Sequence, residues 1–207
     1  MAHGEITYPA HSPNIIESKS MKLYFNGFNS AKLSDQDAFI EIVSKDLAAR
    51  IGTSVQFKLW SVEDLKPVHN FSGWCLDNLD VVCDHYTPTP EFLTCGDILA
   101  TEELYSNLLK SNCAVTLQPD WASIYIKYNG KKIDHAGLLK YIISLREHNE
   151  FHEQCVERIF NDIMTRCCPR ELTVYARYTR RGGIDINPYR TSNKNFAYQE
   201  NIRLNRQ

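Results

Sequence analysis

The run Leu109-Lys110-Ser111-Asn112-Cys113-Ala114-Val115-Thr116-Leu117-Gln118-Pro119-Asp120-Trp121 sets a thiol at the edge of an apolar stretch and a carboxylate seven residues further on. Pro119-Asp120 is a turn signal, and a chain folded back there would let Asp120 accept or return the thiol proton. A cysteine nucleophile needs such a partner, because only the thiolate attacks well and a free thiol near neutral pH is mostly protonated. A free cysteine is equally at home as a small buried hydrophobe. Spacing alone leaves these two readings of Cys113 even.

Three further segments carry groups able to bind or move protons. His148-Asn149-Glu150-Phe151-His152-Glu153 opens a helical stretch, where His148 and His152 at i and i+4 would share one face and could hold a metal. The His-Glu-x-x-His pattern fails, since counting on from His152 ends at Val156, and no third ligand stands out. No metal site is expected. His148 reads as a solvent-exposed helix-end histidine, whereas His152 beside Glu153 reads as a proton donor next to a carboxylate able to anchor a polar ligand. Tyr178-Thr179-Arg180-Arg181-Gly182-Gly183-Ile184-Asp185-Ile186-Asn187-Pro188 puts two arginines on a hairpin tip. That tip is either a solvated charged turn or a phosphate site of guanidinium forks and glycine amides. Glu17-Ser18-Lys19-Ser20 is either an ordinary helix start capped by Ser18 or Ser20, or a helix N-terminus whose amides and lysines meet phosphate. With no G-x-G-x-x-G in the chain, a nucleotide cofactor would not be held in the Rossmann manner.

The elements that must position these groups follow from periodicity and punctuation. Residues 4–9 read as the end of a strand, broken by Pro9 and Pro13, and a helix starts in the Glu17 segment. A second helix, Ser34 to Arg50, has Phe39, Ile40, Ile42, Val43 and Leu47 at helical spacing and is closed by Gly52. Thr53 to Val62 alternates as a strand. Residues 63–96 are turn-rich, and the stretch 67–96 is expected to connect two modules. A strand near Ile98 to Leu109 runs through the Cys113 segment and pairs with Ser123 to Tyr128, with Asn129-Gly130 the strongest short turn signal. Two helices follow, the first capped by Asp134 and the second ended by Pro169. Leu172 to Tyr178 and Ile184 to Asn187 are then strands joined at Gly182-Gly183. The expected division is a first module over 1–66, a connection over 67–96 and a second module over 97–207. The second reads strand, strand, helix, helix, strand, strand, and the first as the same unit shortened. The fold class is α+β, with both helices on one face of an antiparallel sheet.

Composition limits what such a chain can be. Its 207 residues are 43% apolar with a formal charge of −2, enough for one domain or two small ones and too little positive charge for broad nucleic-acid affinity. No run approaches the ~18 apolar residues of a membrane span, and Met1-Ala2-His3-Gly4-Glu5 does not lead into a secretory signal. The seven cysteines are odd in number, Cys167 and Cys168 are adjacent, and no C-x-x-C occurs. Reduced thiols in a cytoplasm fit this better than a disulfide framework or a closed zinc site.

Taken together, the segments are similar to those of one family. Glu17-Ser18-Lys19-Ser20-Met21-Lys22-Leu23-Tyr24 resembles the signature of the nitrile-reducing QueF family, the NADPH-dependent 7-cyano-7-deazaguanine reductases. Leu109 to Cys113 with Pro119-Asp120-Trp121 resembles its nucleophile segment, and His148 to Arg158 and Val174 to Arg190 its substrate and cofactor segments. The likeness runs from about residue 14 to 190 and is of the long, two-module type; four motifs in order are more specific than any one. It implies tandem tunnelling-fold (T-fold) modules and reduction of a nitrile to a primary amine with two NADPH, in queuosine biosynthesis.

By the same resemblance Cys113 attacks the nitrile carbon to give a covalent thioimide, Asp120 moves protons to and from that adduct, and His152 assists as proton donor. Glu153 holds the deazapurine, with Ile16, Glu17 and Ser18 completing substrate binding from the other module. Ser18, Lys19, Arg181 and Gly182 contact NADPH. The partner is the small molecule 7-cyano-7-deazaguanine, with no direct nucleic acid and no membrane, and the protein is expected as a cytoplasmic homodimer. Relative to the long type, the chain is expected to lack an N-terminal segment with the first strand of the first module. Two other classes stay open: a zinc-dependent pterin- or purine-handling hydrolase or cyclohydrolase on the same fold, and an inactive shortened binding module.

Overall fold

In the computed structural model, which describes residues 2–64, 67–196 and 202–207, the chain divides into two units, Met1–Lys66 and Pro67–Gln207. The first contains β1 (Ala2–Thr7), α1 (Ser18–Gly27), α2 (Gln36–Ile51) and β2 (Gln56–Ser61). β1 and β2 form an antiparallel pair, with Thr7 opposite Gln56. Phe25 of α1 and Phe39 of α2 both meet Phe57 of β2, at ring-centroid distances of 6.0 and 5.7 Å. The helical spacing of Val43, Leu47 and Ile51 buries all three. Asp35 caps α2 through the Ala38 amide (2.8 Å), and Gly52, at φ 81°, closes it.

The second unit contains β3 (Val68–His69), β4 (Trp74–Cys75), β5 (Cys95–Asn112), β6 (Pro119–Ile133), α3 (His135–Ser144), α4 (His152–Cys167), β7 (Glu171–Tyr178), β8 (Tyr189–Thr191) and β9 (Arg203–Leu204). Its main sheet runs β4-β5-β6-β7-β8, antiparallel except that β4 lies parallel to β5. Leu104, Leu109, Ile124 and Ile126 of the sheet pack with Leu138, Ile142, Ile159 and Ile163 of α3 and α4, so both helices cover one face, as expected of an α+β module. Phe71, Tyr125, Tyr175, Ile202 and Leu204 form a second, smaller buried cluster.

Several expectations of local structure are corrected. The stretch 67–96 packs within the second unit: Leu76 and Leu93 are buried in its core, and a Cβ on Gly73 (φ 101°) would stand 2.3 Å from the Glu103 carbonyl oxygen. Its glycines and prolines therefore shape a packed irregular path. Asn129-Gly130 does not turn; β6 runs through it, with Asn129 paired to Thr101 and to Glu171 on its two sides. A Cβ at position 130 would lie 2.8 Å from the Cα of Pro169, so this glycine serves a close backbone approach. The chain reverses over 113–118, before Pro119-Asp120, which begins β6 opposite Asn112 and Ser111. Proline is at ease as a first strand residue, where no ladder donor is required of it. Gly182 and Gly183, at φ 57° and 86°, do make a two-residue turn between Arg181 and Ile184. The returning strand is Tyr189–Thr191, however, because residues 184–188 follow β7 irregularly up to Pro188, which has no N–H to give.

One irregularity in β5 decides which side chains face inward. Ser106 pairs with Ile124 but Leu109 pairs with Ala122, so one extra residue is accommodated between them as a bulge. Asp77 holds it, accepting from the Ser106 hydroxyl (2.6 Å), the Asn107 amide (2.9 Å) and the Asn107 side chain (3.1 Å). The buried series therefore shifts from Leu104 and Ser106 to Leu109 and Ser111. Without the bulge Lys110 would take an inward position. Among the described residues no helix is long and apolar enough to cross a membrane.

Candidate active site

Cys113 follows the last residue of β5 and opens the loop to β6. Its N–H donates to the Gln118 carbonyl and its carbonyl accepts from Leu117, both at 2.9 Å, closing a single helix-like turn. Leu117 takes up a left-handed φ of 57°, uncommon for a branched residue and a local strain that this closure sustains. The thiol sits where a capping side chain sits on a helix. Partial burial would raise its pKa, but hydrogen bonds from the Thr116 hydroxyl and the Thr116 and Val115 amides outweigh burial, while the Asp120 charge opposes them. The net pKa lies below that of an ordinary thiol, the direction a nucleophile needs.

Asp120 is 6% exposed. One carboxylate oxygen lies 3.1 Å from His152 Nε2, and the other accepts from Arg181 Nη1 at 2.6 Å. Burial acts to raise its pKa, and His152 and Arg181 together override burial, so the group is held as a carboxylate below its usual range. His152 is stacked on Tyr178, centroids 3.8 Å apart and planes 11° from parallel. Its Nδ1 is shut from water without a hydrogen-bond partner among the described residues.

The start of α4 is brought to the thiol by the end of β5. Asn112 donates to the His148 carbonyl (2.8 Å) and accepts from the Glu150 amide (3.1 Å), a short parallel bridge to Asn149 just ahead of His152. Lys110 Nζ braces the same corner through Asn112 Oδ1 (2.6 Å) and the Arg146 carbonyl (2.5 Å). Phe151 donates to the Gln154 side chain (3.2 Å) at the helix start. His148 precedes α4, so the two histidines do not share a helix face; His148 pairs with Glu150 (2.8 Å), which also takes the Arg158 guanidinium. Glu153 lies in the first turn of α4, partly buried, and its charge bears on Tyr178.

Cys113, Asp120, His152 and Arg181 thus form one connected group. Gly182 belongs to the adjoining turn. Ile16, Glu17, Ser18 and Lys19 lie in the first unit, at the start of α1. There Glu17, not Ser18 or Ser20, is the cap: its carboxylate accepts from the amides of Lys19 (3.0 Å) and Ser20 (2.9 Å). Those amides, one candidate phosphate site, are taken by this side chain. The small burial of Glu17 would raise its pKa, and these bonds lower it. Among the described residues no three His, Cys, Asp or Glu side chains assemble into a group able to hold a metal ion. The other six cysteines are also free thiols; Cys155, one turn beyond His152, is pushed up to about 11 by burial and remains a thiol.

Sequence reasoning missed Thr116, Tyr178 and the Asn112 bridge. Thr116 had a signal, since Cys-x-x-Thr is the spacing of a cap and its third residue. The Tyr178 stack and the Asn112 bridge had none, as each depends on pairing between distant segments.

Residues 119–196 match the family described as QueF-like protein, and residues 1–59 match nitrile reductase, 7-cyano-7-deazaguanine-reductase N-term. Relatives named NADPH-dependent 7-cyano-7-deazaguanine reductase include that of Legionella pneumophila (strain Corby), 53% identical across all of this chain and 74% of that protein. Those of Polaromonas sp. (strain JS666 / ATCC BAA-500) and Coxiella burnetii (strain Dugway 5J108-111) are each 54% identical, over 100% and 96% of this chain and 76% and 72% of theirs. The crystal structure of the archaeosine synthase QueF-Like in the apo form aligns at a TM-score of 0.41 and 14% identity, over 47% of this chain and 95% of that one.

Proposed function

We infer the chemistry from one premise: the chain belongs to the family of the NADPH-dependent 7-cyano-7-deazaguanine reductases. It reduces the nitrile of 7-cyano-7-deazaguanine to an aminomethyl group, a step toward queuosine. In the covalent step the Cys113 sulfur bonds to the nitrile carbon as one carbon–nitrogen π bond breaks. Asp120 receives the thiol proton and returns it to the nitrile nitrogen, so thiol plus nitrile gives thioimide with no proton lost or gained. His152, oriented by Asp120 and by its stack on Tyr178, assists as donor of the further protons that reduction to the amine requires. NADPH, when bound, supplies hydride, twice for each nitrile. When the adduct collapses Cys113 leaves as thiolate, which the Val115 and Thr116 amides favour.

By the family resemblance of their segments, Glu153 and His152 are assigned to substrate recognition, as are Ile16, Glu17 and Ser18. The buried, unpartnered Nδ1 of His152 supports a polar ligand there, because such atoms in native proteins are normally paired. Ser18, Lys19, Arg181 and Gly182 would hold the cofactor. The Arg181 turn suits a phosphate-bearing group: the guanidinium is 37% exposed, and a Cβ on Gly183 would meet nothing within 4 Å. A cytoplasmic homodimer acting on the free base, with no nucleic acid bound, completes the proposal. The exposed apolar pair Ile98 and Leu99 supports association, and the net charge of −2 supports the absence of nucleic acid.

The observation that carries the reading is the Cys113 loop, closed on itself by two 2.9 Å backbone bonds, leading directly into the Asp120 carboxylate paired with His152 at 3.1 Å. Its test is spectrophotometric: addition of 7-cyano-7-deazaguanine should oxidise two NADPH per nitrile, and Cys113→Ala should abolish the signal. Folded protein that consumes no NADPH would contradict it.

A further inference from the structure

Arg181 has a second duty that a cofactor contact does not explain. Its guanidinium spans the start of β6 and the loop before it, Nη1 on Asp120 Oδ1 at 2.6 Å and Nη2 on Thr116 Oγ1 at 3.5 Å. Thr116 is the residue whose hydroxyl and amide both bear on the Cys113 sulfur. One planar fork therefore joins the carboxylate to the loop that carries the nucleophile. The Arg181–Ile184 backbone pair and the two left-handed glycines fix where that fork starts.

We propose that Arg181 is a positioning residue for the covalent step: it registers Asp120 against the Cys113 loop, and the adduct forms slowly without it whether or not cofactor is present. The inference rests on the thioimide reading above. Asp120 is faced by His152 from α4, by Arg181 from the turn after β7, by Cys113 and Thr116 from the loop after β5, and by Ser111 across the strand pair. Of His152 and Arg181, which pair with the carboxylate, Arg181 is the one that also reaches Thr116. Removing it leaves the carboxylate paired with His152 alone and its charge less balanced beside the sulfur. Both changes disfavour the thiolate, because a neighbouring negative charge raises a thiol pKa. The remaining guanidinium N–H groups stay available to an anion, so the two duties are compatible.

The experiment measures the rate of Cys113 adduct formation with 7-cyano-7-deazaguanine in the absence of NADPH, across pH, for wild type, Arg181→Gln, Arg181→Lys and Arg180→Gln. Arg180 pairs with Asp185 (3.3 Å) and serves as the neighbouring-charge control. Arg181→Gln should slow adduct formation about tenfold to a hundredfold and move the rising limb of its pH profile upward. Arg181→Lys, which keeps the charge and loses the fork, should recover part of the rate, and Arg180→Gln should match wild type. A residue needed only for folding would not shift the pH profile of the molecules that fold. Adduct formation by Arg181→Gln and Arg181→Lys within twofold of wild type, with only the KM for NADPH raised, overturns the proposal and leaves Arg181 a cofactor contact alone. Wild type failing to form the adduct would instead sink the thioimide reading itself.

Discussion

The two ends of the β5–β6 hairpin carry the same kinds of group. At one, Asp120 meets His152 at 3.1 Å and Arg181 at 2.6 Å; at the other, Glu102 meets His135 at 3.0 Å and Lys132 at 4.0 Å. Each histidine lies on an aromatic ring, His152 on Tyr178 at 3.8 Å and His135 on Trp74 at 4.7 Å. The third partner differs. Glu102 accepts from the Tyr128 hydroxyl, which burial and this bond together keep protonated and which itself accepts from the Ile133 amide at 3.0 Å. That end is a latch tying β6 to β5. Asp120 instead lies beside a strained loop whose amides favour a thiolate. A carboxylate–histidine–cation set is thus not a site by composition; in the proposed reading it becomes one where a thiol of lowered pKa stands beside it.

Substitution at the two carboxylates breaks the comparison most sharply. Asp120→Asn should cut NADPH oxidation by about 10²- to 10⁴-fold, the usual contribution of a proton-transfer group. Glu102→Gln should leave the rate within about twofold and cost about 1–3 kcal/mol, because the buried Tyr128 hydroxyl loses a charged acceptor. Comparable rate losses at both positions would erase the distinction. Gly130→Ala tests the latch end through the backbone. The Cβ contact with Pro169 predicts a loss of about 1–3 kcal/mol in chemical denaturation with adduct formation unchanged, and a neutral result would refute the close approach.

The smallest effect lies in the acid. Burial raises the pKa of both carboxylates and their partners lower it by more, holding Asp120 and Glu102 below the usual carboxylate range. A carboxylate whose folded pKa is depressed stabilises the fold above its unfolded pKa, and that stability is lost as pH falls through the folded value. Asp120→Asn and Glu102→Gln should therefore each converge on wild-type Tm as pH drops below about 4. A gap between variant and wild type that does not narrow as pH falls would count against an ionised carboxylate at that end.

Much of this was legible in the chain. The helical period of α2, the Asp134 cap of α3 (2.8 Å to the Gly137 amide) and the Gly182-Gly183 turn were local signals, and each holds. Asn129-Gly130 and Pro119-Asp120 misled for one physical reason: the same residue types that permit turns also permit close packing and strand starts. The bulge at Ser106–Leu109 was invisible because its cause, Asp77, lies about thirty residues away in a stretch that looked like linker. At the site, sequence pointed to the thiol, the carboxylate and the histidine. Their coupling through Arg181 and Thr116 needed the fold.

The central claim is that Cys113 is the nucleophile, and mass spectrometry tests it most directly. Folded protein incubated with 7-cyano-7-deazaguanine and no NADPH should gain the mass of one substrate molecule, on the peptide containing Cys113 and not on that containing Cys155. No added mass, or added mass on another cysteine with Cys113 unmodified, would contradict the account.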